Sequence, residues 1–91
     1  MNILNLYKNL EINLDKTMTF STNNGGVITA QMQDAFLFIQ DFKLNDELEF
    51  LKYLASSKEK PSQDSIISFL RHLFFDAKLA KNFVSWQRQV A

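Results

Sequence analysis

Residues 62–90, SQDSIISFLRHLFFDAKLAKNFVSWQRQV, carry the longest helical pattern in the chain. Apolar residues recur every four and three positions along one side, and we predict that this stripe is the core face. Its members are Ile66, Leu70, Leu73, Ala77, Ala80 and Val84. One straight helix of this length would measure about 43 Å, whereas a globule of this chain length is about 26 Å across. We therefore expect the helix either to bend around residues 76–78 or to project beyond the core.

The opposite side of this segment is apolar as well, but only in its second half. The residues of this aromatic face are Phe75, Leu79, Phe83, Trp86 and Val90. Ser65, Ser68 and His72 lie earlier on the same side and are polar, as expected where a helix meets solvent. We predict that the aromatic face is exposed and binds another protein or a second copy of the chain. The alternatives are that the N-terminal helix or a hairpin covers it, or that it lies on a membrane surface.

Two shorter helices are predicted before this segment. The first begins at Thr29, its expected N-cap, and its apolar stripe covers residues 32–42. The second begins at Asn45, its expected N-cap, and its inward face covers residues 48–55. The apolar positions expected to face the core are Met32, Ala35, Phe36, Ile39, Phe42, Leu48, Leu51, Leu54 and Ala55. Pro61 prevents any helix from continuing into the last segment, which therefore opens at Ser62.

The N-terminal third combines a short helix with a strand-like pattern. Residues 3–10 place apolar side chains at helical spacing, and from residue 12 the apolar positions alternate instead. Asn24-Gly25 then interrupts two such alternating runs, and this pair favours a hairpin turn because both residues accept positive φ. We predict a short β-hairpin near residues 17–28, with positive φ at both turn residues. The alternative is an ordered loop between two helices.

Length and composition limit the class of protein. The chain has 91 residues, of which 46% are hydrophobic and 22% are charged, and this balance is typical of one globular domain over residues 1–91. With two Gly, one Pro and no Cys, the chain has neither a disulfide framework nor a Cys-ligated metal site. We therefore predict a mainly α protein, a compact domain of three to four helices with the short hairpin.

The residues that carry chemistry are few. His72 is the sole histidine, and Asp76 four residues later gives only two ligands, too few for a metal site. Asp46 and Glu47 are explained by a helix start, where the dipole favours acids. The chain carries no phosphate-binding loop, nucleophile elbow or zinc-protease motif. We therefore expect no enzyme activity, no cofactor and no metal.

Charge is unevenly distributed along a chain whose formal net charge is zero. Residues 29–51 carry five acidic side chains against one lysine, whereas residues 52–91 carry seven basic side chains against three acidic ones. This separation favours docking of either the acidic or the basic segment on an oppositely charged partner. A helical protein that binds nucleic acid through Lys58, Lys60 and Arg71 is the alternative function, although a neutral chain is atypical of DNA binders.

These patterns together predict a small non-catalytic protein–protein interaction module: an adaptor, an inhibitor or a chaperone-like subunit. Its partner is another protein or a second copy of the chain. We expect a cytoplasmic location, because residues 1–16 lack the positively charged start and apolar run of a signal peptide. We expect no membrane span, because no stretch is continuously apolar over the required length.

Overall fold

A hairpin separates one short helix from four longer ones in the computed structural model, which describes residues 2–90. The elements in chain order are α1 (Ile3–Tyr7), β1 (Thr17–Ser21), β2 (Val27–Gln31), α2 (Met32–Asp41), α3 (Asn45–Ser56), α4 (Gln63–Phe74) and α5 (Ala77–Val90). The prediction of a mainly α protein with a short hairpin is confirmed. The described part of the chain contains five helices rather than three or four, because the last predicted helix divides into α4 and α5.

The hairpin is antiparallel and in continuous register, with Thr19 opposite Thr29 and Phe20 opposite Ile28. Alternate residues of a strand point to the same side, and in this hairpin the residues on the inner side are the apolar ones. The turn spans residues 22–26 rather than two residues, and the Thr22 amide donates to the Gly26 carbonyl at 2.9 Å. In this longer loop Gly25 has a φ of +83°, whereas Asn24 does not have a positive φ. The positive φ predicted for Asn24 is therefore wrong.

The helix starts differ from two predictions. Thr29 lies within β2, so it does not cap a helix, and α2 begins only at Met32. Asn45 is the first residue of α3 rather than its cap, because Leu44 occupies the cap position. Ser62 caps α4 as predicted: its hydroxyl accepts from the Ser65 amide at 3.1 Å in a capping box.

Of the two alternatives for the long last helix, the structure has an interruption, at residues 75–76, next to the predicted 76–78. α4 ends at Phe74, and the Asp76 carboxylate accepts from the Lys78 amide at 2.9 Å, which satisfies one of the unpaired donors at the start of α5. Asn23, in the hairpin loop, bonds to both sides of this break. Its amide donates to the Phe75 carbonyl at 2.8 Å, and its side-chain oxygen accepts from the Ala77 amide at 3.3 Å.

The core lies where α2 meets α4 and α5. Phe38 is fully buried there, with its ring centroid 5.1 Å from that of Phe83 and 5.8 Å from that of Trp86. The Trp86 indole N–H also donates to the Asp41 carboxylate at 3.0 Å, so α2 holds α5 by both packing and a hydrogen bond. The first half of the fold is held similarly: α1 brings the buried Tyr7 hydroxyl to the Leu51 carbonyl, at 2.8 Å.

Candidate protein-binding surfaces

The aromatic face predicted on the last helix is largely internal. Phe83 is fully buried and Trp86 is 6% exposed, so the exposure predicted for these two side chains is wrong. The physical reason is the break at residues 75–76, which redirects α5 and turns this side towards α2. Outside α5, the aromatic partners of these two side chains within residues 2–90 are Phe38 of α2 and Phe74 of α4, whereas the sequence suggested the N-terminal helix or the hairpin as the cover.

The remaining residues of the aromatic face do not form one surface. Phe75 is 53% exposed and Val90 is 58% exposed, while Leu79 is half-buried. Phe75 lies before the break, whereas Val90 is the last residue of α5, about 20 Å along that helix from its start, beyond the buried Phe83 and Trp86. A binding role for Phe75, Leu79 and Val90 stays a prediction, but the three side chains cannot act as one contact patch.

The predicted core stripe is also divided by the break. Ile66 and Leu70 in α4 and Ala80 in α5 are buried as expected, whereas Leu73 of α4 is half-buried and packs against the core. Ala77 and Val84 are only half-buried, and they line a shallow groove of about 240 Å³ between α5 and the hairpin. The stripe therefore belongs to the core in α4, and in α5 part of it becomes a groove wall.

An aromatic cluster that the sequence reasoning missed lies on α3 and α4. Phe50 and Tyr53 of α3 are 43% and 68% exposed, and Phe50 packs on the half-buried Phe69 of α4 with 5.1 Å between ring centroids. Phe50 and Tyr53 are three residues apart on a helix, so they share one side of α3. We refer to Phe50, Tyr53 and Phe69 as the α3–α4 patch. Its signal in the sequence is that Phe50 and Tyr53 lie off the Leu48, Leu51 and Leu54 stripe.

Carboxylates border the α3–α4 patch. Asp46 lies four residues before Phe50, one turn earlier on the same side of α3. Glu49 pairs with Lys52 at 3.3 Å, the only ion pair among residues 2–90, so Asp46 has no cationic partner within that range. The patch therefore combines exposed aromatic rings with a carboxylate that forms no ion pair within residues 2–90.

The cations of the alternative nucleic-acid function are spread over the surface. Lys58 and Lys60 lie in the loop between α3 and α4, and the Lys60 ammonium donates to the Ala55 carbonyl at 3.3 Å. Arg71 lies in the last turn of α4, about 12 Å along the helix from its start. The three side chains therefore do not make a compact basic patch, and the alternative stays a prediction.

The candidate chemical groups are used structurally. Asp76, the predicted neighbour of His72, accepts backbone hydrogen bonds at the start of α5. A second, larger cleft of about 520 Å³ lies beside Pro61, between the chain that follows α1 and the start of α4. The Ser62 hydroxyl in its wall is occupied by the capping box, and Glu11 and Lys60 are the charged residues of its lining.

Over residues 2–90, no cluster of three or more His, Asp or Glu side chains is arranged to hold a metal ion. Within the same range, the helices lack the combined length and apolar character that crossing a bilayer requires. The chain matches no protein-family model, no curated protein and no solved structure.

Proposed function

We propose that the chain is a small non-catalytic protein–protein interaction module, which acts as an adaptor, an inhibitor or a chaperone-like subunit. The observation that supports this proposal is the α3–α4 patch. Aromatic side chains that stay exposed on a small domain are typical of interfaces, where Tyr and Phe provide large contact areas at a low entropy cost. Among the large hydrophobic side chains of residues 2–90, Tyr53 has the highest exposed fraction, 68%.

The charge beside the patch defines the partner. Asp46 forms no ion pair within residues 2–90, and the segment that contains α2 and most of α3 is net negative. A partner that presents basic side chains around an apolar centre would pair with Asp46 and place a cation over the Tyr53 ring. We therefore propose that the partner is a second protein with a basic, apolar face.

Selection from a displayed library of random peptides tests this proposal. We expect the wild-type protein to enrich peptides that combine Lys or Arg with aliphatic residues. The Phe50→Ser, Tyr53→Ser double variant should lose this enrichment, while Tyr53→Phe, which keeps the ring, should retain it. Melting curves of all three proteins serve as the control that each variant is folded.

Two outcomes would contradict the proposal. One is an enrichment that the double variant leaves unchanged. The other is salt-sensitive retention on DNA that Lys58→Gln and Arg71→Gln abolish, because this result would favour the nucleic-acid alternative.

A further inference from the structure

The outer edge of β2 carries unpaired backbone groups. Two hydrogen bonds that flank the hairpin fix which residues face outwards: the Thr22 amide donates to the Gly26 carbonyl, and the Met32 amide donates to the Lys16 carbonyl. In an antiparallel ladder the residues that exchange bonds alternate with those that do not. Ile28 and Ala30 therefore bond to β1, whereas Val27 and Thr29 direct their N–H and C=O groups away from it. Within residues 2–90 these groups have no other backbone partner.

This edge has none of the features that usually prevent strand addition. Natural proteins protect free edges with charged side chains, proline or bulges. β2 reads Val27-Ile28-Thr29-Ala30-Gln31, which contains no charge and no proline, and its register with β1 is continuous. Val, Ile and Thr are also the residues that favour the extended conformation. The strand is therefore prepared to accept another strand beside it.

The groove next to this edge indicates what such a strand would carry. Its walls are mainly apolar, from Val27 and Ile28 on one side and Ala77 and Val84 of α5 on the other. Lys81 is the one charged residue in its lining, and it has no acidic partner within residues 2–90. An aliphatic side chain would fit the apolar walls, and a carboxylate would complement Lys81.

We propose that β2 binds an extended segment of a partner protein, which pairs with Val27 and Thr29 and presents an aliphatic and an acidic side chain to the groove. This mode is strand addition, in which main-chain bonds supply affinity and side-chain pockets supply specificity. A second copy of the chain fits less well: the strand placed beside β2 would be β2 itself, and this strand has no carboxylate for Lys81. This site is separate from the α3–α4 patch and selects the opposite charge.

Peptide titration followed by amide NMR tests this proposal on the full chain. The probes are three short synthetic peptides with alternating Val and Thr: one with a central Glu, one with Lys in its place, and a backbone N-methylated form of the Glu peptide. We expect the Glu peptide alone to shift the Val27 and Thr29 amides and to slow their exchange with solvent. Lys81→Glu should weaken this binding by about tenfold or more and favour the Lys peptide.

A matched pair of proline variants isolates the edge. Thr29→Pro removes an outward N–H and no ladder bond, as does Thr19→Pro at the facing position of β1. We expect the first variant to lose peptide binding and the second to retain it. If Thr29→Pro does not fold, the Lys81→Glu variant still tests whether the peptide binds in the groove beside β2.

Four results would overturn this inference. The first is the absence of shifts at Val27 and Thr29, and the second is equal binding of the Glu and Lys peptides. The third is retention of binding by a folded Thr29→Pro variant. The fourth is exchange protection of the two amides that rises with protein concentration without peptide, which would identify a second copy as the occupant. The Phe50→Ser, Tyr53→Ser variant should bind the Glu peptide normally, so failure at one surface leaves the other proposal intact.

Discussion

Replacing Phe83 with Ala, beside the same replacement of Phe75, tests how α5 packs. Both residues are Phe and both belong to the aromatic face that the sequence predicts to be exposed. Phe83 is fully buried, with ring centroids 4.7 Å from Phe74 and 5.1 Å from Phe38, whereas Phe75 is 53% exposed. The two variants therefore remove the same atoms from different environments.

The expected losses in the free energy of unfolding differ several-fold between the two variants. Truncating a buried Phe costs about 3–5 kcal/mol, because the lost transfer energy is joined by the cost of the cavity. Phe75 has about half its surface in water, so its truncation costs about 1 kcal/mol and leaves no internal cavity. The free energy of unfolding expected for a chain of this length is about 5–13 kcal/mol. Phe83→Ala therefore removes a large share of the stability, and Phe75→Ala a small one.

Urea denaturation followed by circular dichroism measures both losses. With a slope near 1.3 kcal/mol per molar urea, the midpoint should fall by about 3 M for Phe83→Ala and by less than about 1 M for Phe75→Ala. Size-exclusion chromatography of the same samples reports any change in association. Equal midpoint shifts, or a stable Phe83→Ala variant that has lost self-association, would refute the packing of α5 on α2.

Three further changes test the hairpin and the first helix. Asn23→Ala removes the acceptor of the Ala77 amide, so we expect a loss of about 0.5–1.5 kcal/mol and faster hydrogen exchange at Ala77; unchanged exchange would contradict this role. Gly25→Val places a β-branched residue at a φ of +83° and should cost about 1–3 kcal/mol in melting experiments, more than Gly25→Asn, whereas equal costs would show that backbone strain is not the cause. Burial raises the pKa of Tyr7 to about 12, so the folded state resists its ionisation. The contribution of Tyr7 to the free energy of unfolding should be complete below about pH 10 and fall towards pH 12, because Tyr7 ionises at lower pH in the unfolded chain than in the folded one. Tyr7→Phe should remove this part of the pH dependence in urea titrations.

Local signals in the sequence predicted the elements of the fold well. The hairpin follows from alternating apolar residues on either side of Asn24-Gly25, and the start of α4 follows from Pro61 and Ser62. Each of these signals acts through neighbours within a few residues. The length of the last segment indicated that a straight helix would exceed the domain, but it left open whether the helix bends near residue 76 or projects beyond the core.

The direction of α5 was beyond local reasoning. A helical wheel drawn through residues 62–90 assumes one axis, and it assigns Ala77, Ala80 and Val84 to the core. The break at residues 75–76 changes the axis, so α5 turns Phe83 and Trp86 inwards. What fixes the new direction is the packing of Phe83 and Trp86 against α2, and no pattern within the segment itself encodes that contact.

The candidate surfaces also differ in how far local sequence patterns predict them. The exposure of Phe50 and Tyr53 could be predicted from α3 alone, because both lie off its Leu stripe. The groove beside β2 could not, since its walls come from elements about fifty residues apart in the chain and exist only after packing. The free edge is an intermediate case: the hairpin was predictable, but its lack of cover depends on where the helices lie.

The break at residues 75–76, which the helical wheel did not include, also forms the groove between α5 and the hairpin. Asn23 bonds to the Phe75 carbonyl and to the Ala77 amide, so one residue of the hairpin loop spans the end of α4 and the beginning of α5. Lys81 follows Ala77 by about one turn of α5, and Val27 follows Asn23 by four residues, so both walls of the groove start from this junction. A continuous helix over residues 62–90 would leave Ala77 and Val84 on the core stripe. Because the chain is interrupted and held by Asn23, these side chains instead lie beside the free edge of β2, where an added strand would meet them.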